Sequence, residues 1–366
     1  MPAERLGERL RAIVARFDSH GETGPVRLVA SRPQIGWHWF SEGADRPYLM
    51  GRATSMATTA IALQLVDEGL LDLDAPISRY VPAGMIAGLH VVEGVDRAEQ
   101  LTMRLLLSHA TGLPDYMSDR LPSGGLAAAD ALREDRPWTL EDSLEATRRF
   151  PRPLFLPGAA GRAHYSDLNA RLAGLVVERI TGSGFDSLVT ARIADPLDLE
   201  STFVFGPTTM HRYGTIDRLV LRDAKPEIPH FLASMQAQGG LVSTAAEQLT
   251  FVRAFFGGRL FNMRHLEGVQ STWRQLVGPV RYGMGVMRYT PSRASSPFTA
   301  LPAMVGHGGS TGAFTYHVPQ MGLFVAGTLN QASSRSLTYS MLTRAVVAIR
   351  RTPVEFIGDG TPVRAG

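Results

Sequence analysis

Tyr48-Leu49-Met50-Gly51-Arg52-Ala53-Thr54-Ser55-Met56-Ala57-Thr58-Thr59-Ala60-Ile61-Ala62-Leu63-Gln64-Leu65-Val66-Asp67-Glu68-Gly69 is the stretch on which the reading of this 366-residue chain turns. Its second half reads as a helix that stops at Gly69, the residue type that most easily takes the left-handed turn after a helix end. Leu65, Leu70 and Leu71 gather at that exit, and Asp72-Leu73-Asp74-Ala75-Pro76 follows. Its first half is small and polar. A helix that starts in this way offers free N–H groups to whatever lies in front of it.

Upstream, Leu6, Leu10, Ile13, Val14 and Phe17 recur at helical spacing, so residues 4–19 form a helix with one buried face. Val26–Ala30 and Ile35–Phe40 read as two strands around a turn at Pro33, with Trp37 and Trp39 on the packed side. Downstream, residues 72 to about 199 are mostly helix and loop. They carry Leu106-Leu107-Ser108-His109-Ala110-Thr111-Gly112-Leu113, then Phe155-Leu156-Pro157-Gly158, then His164-Tyr165-Ser166-Asp167. Residues 115–137 read as a variable loop over a pocket. Gln238-Gly239-Gly240-Leu241-Val242-Ser243-Thr244 opens another helix. Strands are expected near 282–286, 303–305, 313–318 and 323–330, with a closing amphipathic helix over 334–350. His307-Gly308-Gly309 lies among these strands.

In this order the motifs closely resemble the serine β-lactamase superfamily, which includes class C β-lactamases, D-alanyl-D-alanine peptidases and family VIII esterases. The resemblance runs from about residue 4 to 350. It implies an α/β fold of the β-lactamase/transpeptidase type: an antiparallel sheet of about five strands flanked by helices, plus a mostly helical lobe. Residues 1–71 and 236–366 would form the sheet lobe and 72–235 the helical one, within one unit.

The resemblance also exposes a departure. The family enters its central helix through Ser-x-x-Lys, serine as nucleophile and lysine to draw its proton. Counted back from Gln64–Gly69 without a gap, the serine falls on Arg52 and the lysine on Ser55. A second register takes Ser55 as nucleophile and puts Thr58 in the lysine's place. It needs a three-residue deletion, which turns the packed helix face by roughly 60°, so the gapless register is preferred. Both lack the lysine. The chain's one lysine, Lys225, sits in a polar loop, where a solvated surface role is the plain reading.

By resemblance, Tyr165 stands at the catalytic tyrosine and Asp167 at a position that contacts substrate. His307 and Gly309 belong to the pocket-lining strand, and the amides of Arg52 and Ser310 would form the oxyanion hole. Ser108 and His109 are read as scaffold, with the histidine hydrogen-bonded internally, and His164 should point away from Tyr165. A guanidinium is neither nucleophile nor base at working pH, but it can clamp a carboxylate or favour an ionised phenol.

Three readings follow. In the first, Tyr165 is the general acid or base and Arg52 and the amides hold negative charge. The reaction is then non-hydrolytic, an isomerisation, elimination or cyclisation of a small carbonyl- or carboxylate-bearing molecule, with specialised metabolism as a fitting context. In the second, Ser55 with Tyr165 keeps a residual serine hydrolase, esterase or acyltransferase. In the third, Arg52 points to solvent or pairs with Asp167, and the protein binds without reacting.

Composition narrows the rest. Hydrophobic residues make up 44% and charged residues 19%, ordinary for a globular chain, and no apolar run is long enough to span a bilayer. Cysteine is absent, which excludes disulfide and thiol chemistry. Net charge is +3 with scattered arginines, so nucleic acid is not an expected partner; a small molecule is. The histidines lack metal-ligand spacing, and no phosphate or dinucleotide loop is present, so no cofactor is expected. The charged start Met1-Pro2-Ala3-Glu4-Arg5 does not read as a signal peptide, which gives a cytoplasmic expectation.

Overall fold

The computed structural model describes residues 2–222, 224–292 and 301–352. The parts of the expected sheet lobe at 293–300 and 353–366 lie outside the described residues. Helix α1 spans Pro2–Asp18 and buries Leu6, Leu10 and Phe17. Strands β1 (Arg27–Arg32) and β2 (Trp37–Phe40) form the first hairpin, with Trp37 and Trp39 buried. The chain then enters helix α2 (Thr54–Asp67) through a single helical turn at Gly51–Ala53. Every residue from Thr54 to Leu63 is buried, as expected of a helix at the centre of a fold.

The remaining sheet strands come from the second half: β3 (Arg274–Val277), β4 (Val280–Tyr282), β5 (Met287–Tyr289), β6 (Met304–Gly308), β7 (Ala313–Val318) and β8 (Leu323–Thr328). Their order is β2-β1-β8-β7-β6-β5-β4-β3, antiparallel throughout. The antiparallel sheet and its flanking helices match the expected architecture, but the sheet has eight strands rather than about five. The difference lies in residues 274–289. The segment expected as a strand near 282–286 is instead the turn between β4 and β5, where Gly285 takes φ +69° and the chain doubles back. A second hairpin, β3–β4, extends the edge.

Helix α5 (Arg335–Arg351) closes the chain beside α1, and the two share a core with one sheet face. Helix α3 (Asp167–Thr181) and helix α4 (Ala245–Phe256) pack with α2 in the other core. Two glycines allow the close approach that shapes the site. Gly51 has φ +52°, and a Cβ there would lie 2.9 Å from Thr311 Cγ2. A Cβ on Gly309 would meet the Met50 carbonyl oxygen at 2.2 Å. The end of β6 therefore rests directly on the entry to α2. Thr311 Oγ1 secures the contact by donating to the Leu49 carbonyl at 2.7 Å.

Candidate active site

The walls of a cleft converge at this junction. Arg52 comes from the entry to α2, Tyr165 from the residues before α3, Gly308, Gly309 and Ser310 from the end of β6, and Arg335 and Tyr339 from α5. Leu276 and Val277 of β3 cover its outer side. The remaining space is about 50 Å³. That is room for a few waters and well short of the roughly 300 Å³ at which small-ligand pockets begin, so a substrate must displace part of the cover.

Arg52 fills much of the space. Its guanidinium lies over the Tyr165 ring at 4.2 Å from the centroid. One terminal nitrogen, Nη2, donates to Asp115 Oδ2 at 2.7 Å and to Asp167 Oδ2 at 2.9 Å. Burial works against the charged guanidinium, but Asp167, Asp115 and Tyr165 outweigh it and raise its pKa. Arg52 is thus already held by the protein's own carboxylates, through the pairing with Asp167 foreseen in the binding-only reading and a second pairing with Asp115 that was not. It is not a free clamp for a substrate carboxylate.

Asp115 was read as part of a variable loop. It is fully buried, because its oxygens accept hydrogen bonds from Met117 N, Asp167 N, Ser118 Oγ and Arg52. Tyr116 beside it is also buried, and its hydroxyl donates to Gln238 Oε1. The 115–137 segment further holds a helix over Ala129–Arg133.

One guanidinium cannot neutralise two buried carboxylates. Burial pushes the Asp167 carboxyl up to about 7, and the neighbouring Asp115 adds to this against the pull of Arg52. Unfolded, Asp167 would titrate near about 4. Between these limits the folded chain binds the extra proton, so stability falls as pH rises from about 4 through about 7. Asp167→Asn should remove this slope and be more stable than the parent above pH 7, by on the order of 1–3 kcal/mol. Urea unfolding across pH 4.5–8 checks this; equal slopes for both proteins would contradict it.

Tyr165 is buried, and no partner is found for its hydroxyl among the described residues. Burial, then the nearby Asp167, raise its pKa well above the usual phenol value, and Arg52 opposes them without prevailing. The expectation that Arg52 would favour the ionised phenol is met in direction only: burial prevails and holds Tyr165 neutral. His109 stacks on its other face, centroids 4.0 Å apart. As expected, this histidine is held internally. Its Nδ1 accepts from the Ser166 N–H at 3.2 Å, and burial, then His307 and Arg52, keep it neutral.

Ser55 does not line the cleft. Its hydroxyl is buried close to the phenols of Tyr165 and Tyr282, near enough to moderate both pKa values, yet without a hydrogen bond of ordinary geometry. It faces a small internal void with Thr58, His109, Ala170 and Ala173, of about 10 Å³, the room of one water. A serine where a longer side chain would reach leaves such a void. Lys225 is exposed and lines neither this void nor the cleft. His307 also lies behind the cleft instead of in its floor. It is fully buried, with Nε2 paired to the Tyr282 hydroxyl at 2.8 Å, and burial, only partly offset by the Gly308 carbonyl, lowers its pKa to about 3. Asp167 likewise reaches the cleft only through Arg52.

Gly309 and Ser310 do form the cleft wall. The Ser310 N–H has no acceptor among the described residues, and Arg52 stands in the first helical turn, where N–H groups lack intrahelical partners. Arg335 lines the opposite wall, open to solvent and with no carboxylate partner among the described residues. Sequence reasoning passed over it; its place in the first turn of a helix leading away from the β6–β8 strands was the available signal.

The fold is shared with known proteins. The family description Beta-lactamase matches residues 43–347. The chain belongs to this family. Lovastatin esterase of Penicillium rubens is 28% identical over 238 residues, covering 63% of this chain and 56% of that protein. Monacolin J acid methylbutanoyltransferase of Aspergillus terreus is 28% identical over 169 residues, 42% of this chain and 37% of that protein. The chain thus spans just over half and about a third of these curated relatives. A D-stereospecific amidohydrolase from Streptomyces sp. superposes with a TM-score of 0.70 at 26% identity, over 92% of this chain and 97% of that one. The fold is that of hydrolases and acyltransferases. Among the described residues no helix is long and apolar enough to cross a membrane.

Proposed function

We propose that this β-lactamase-family chain is an enzyme that acts on a small carbonyl compound bearing a carboxylate, by proton donation without a covalent acyl-enzyme. Tyr165 is the general acid. The amides of Arg52 and Ser310 hold the carbonyl oxygen as charge develops, and Arg335, in place of the self-paired Arg52, receives the substrate carboxylate. Elimination or cyclisation suits this set: Tyr165 protonates the leaving oxygen or the carbonyl, and solvent water takes the proton released from the α-carbon or from the closing nucleophile. The observation that carries the reading is the neutral, unpartnered Tyr165 hydroxyl beside the Arg52 guanidinium.

The test is a panel of β-substituted carbonyl acids followed by proton NMR for alkene or ring products. Tyr165→Phe should reduce turnover by about 10²–10⁴-fold. Arg335→Ala should chiefly raise KM. Product formation unchanged in Tyr165→Phe would end this reading.

The relatives favour a second reading, hydrolysis or acyl transfer through Ser55, since those named above are an esterase, an acyltransferase and an amidohydrolase. It requires Ser55 to reach the cleft from the void it shares with Thr58 and His109, with no amine to take its proton. Cleavage of p-nitrophenyl esters that is lost in Ser55→Ala would favour it over the first.

A further inference from the structure

His164 and Tyr165 are consecutive, and they face different cavities. Tyr165 lines the cleft; His164 lines a groove of about 740 Å³ outside it. That volume lies within the range of small-molecule sites, whereas the cleft's does not. One wall is the run Pro151-Arg152-Pro153-Leu154-Phe155-Leu156; Pro114, Arg120 and Pro122 contribute the other. Pro151 and Pro153 fix φ and carry no N–H, so this wall is stiffened at two positions. Leu154 and Leu156 are 45% and 48% exposed. Apolar side chains left open to water around a concavity mark a binding surface.

The charges in the groove are unbalanced. Arg120 and Arg152 have no ion-pair or hydrogen-bond partner among the described residues. The groove's one carboxylate is committed elsewhere. Asp119 Oδ2 pairs with His164 Nε2 at 2.8 Å and accepts the Asp115 N–H at 2.8 Å. The third nearby arginine, Arg162, is occupied by the Phe155 ring, 4.5 Å from its centroid. What remains is an apolar trough with two free guanidinium groups.

We propose that this groove is a second ligand site, for an amphipathic monocarboxylic acid. Its chain lies on the prolines and on Leu154 and Leu156, and its carboxylate is met by Arg120 and Arg152. The site is separate from the cleft and does not rest on the chemistry proposed there.

Titration calorimetry with sodium decanoate, below its micelle-forming concentration, tests the assignment. One saturable site is expected, with the His164 ring resonances shifting in step. Decanol and butyrate should each bind at least tenfold more weakly, since each supplies half of the recognition. Arg120→Glu/Arg152→Glu and Leu154→Ser/Leu156→Ser should each weaken decanoate binding tenfold or more, with melting curves confirming that the variants are folded. Arg335→Ala, in the cleft, should leave it unchanged. Absence of saturable binding overturns the proposal, as does binding indifferent to both groove variants. Binding lost in Arg335→Ala would place the acid in the cleft and overturn it equally.

Discussion

Asp115→Ala should destabilise the protein by about 3–5 kcal/mol at pH 7.5, the range for breaking a buried ion pair from one side. Asp115 is fully buried and serves four donors, among them the Arg52 guanidinium and two backbone N–H groups. Alanine leaves those donors unsatisfied where water has little access, and one carboxylate must then hold Arg52 alone. Asp115→Asn keeps an acceptor oxygen and should cost markedly less. Urea unfolding measures both. A loss under about 1 kcal/mol for alanine would mean that Arg52 swings out to solvent, and that the pairing is incidental. The cluster need not be a net source of stability. Replacing Arg52, Asp115 and Asp167 together with apolar residues of similar volume can be neutral, whereas removing Arg52 or Asp115 alone should be costly.

The second large effect concerns reactivity. The triple variant Arg52→Ser/Ser55→Lys/Asp167→Asn should acquire an acylation step that the parent lacks. Shortening Arg52 empties the space over the Tyr165 ring, where the guanidinium now sits 4.2 Å from the centroid. A lysine at 55 starts from the void beside Thr58 and His109 and can extend towards Tyr165. Asparagine at 167 removes a carboxylate that would otherwise lose its cation. With p-nitrophenyl butyrate, the triple variant should give a burst of p-nitrophenolate approaching one equivalent. Arg52→Ser alone should not, because its hydroxyl has no nearby amine to take the proton. A burst of equal size in the single variant would show that the missing lysine is not what silences the parent.

Much of the scaffold was legible because it depends on local patterns. The α1 periodicity and the Trp37–Trp39 hairpin each follow from short-range spacing. So does the core placement of α2, whose first ten residues are small or apolar enough to be enclosed. The eight-strand sheet was less legible because β3 to β5 are three or four residues each, too short for alternation to show. In the site, Arg52 and Tyr165 could be placed from their motifs. Asp115 could not, since its meaning depends on a partner 63 residues away. The signal was there in retrospect: a charge at the entry to a buried helix needs a countercharge, and Asp115 directly follows Gly112-Leu113-Pro114 in a motif expected beside the site. Ser55 and His307 were assigned to the cleft from motif position alone. The bulk of Arg52 and the Tyr282–His307 pair put both one layer deeper, which no spacing rule reports.

Everything proposed for the cleft rests on Arg52 standing where an attacking hydroxyl would be, with no other serine there made nucleophilic. Incubating the unaltered protein with a fluorophosphonate and weighing the intact chain tests this directly. The account predicts an unchanged mass after prolonged exposure. A stoichiometric adduct mapped to Ser55 would contradict it.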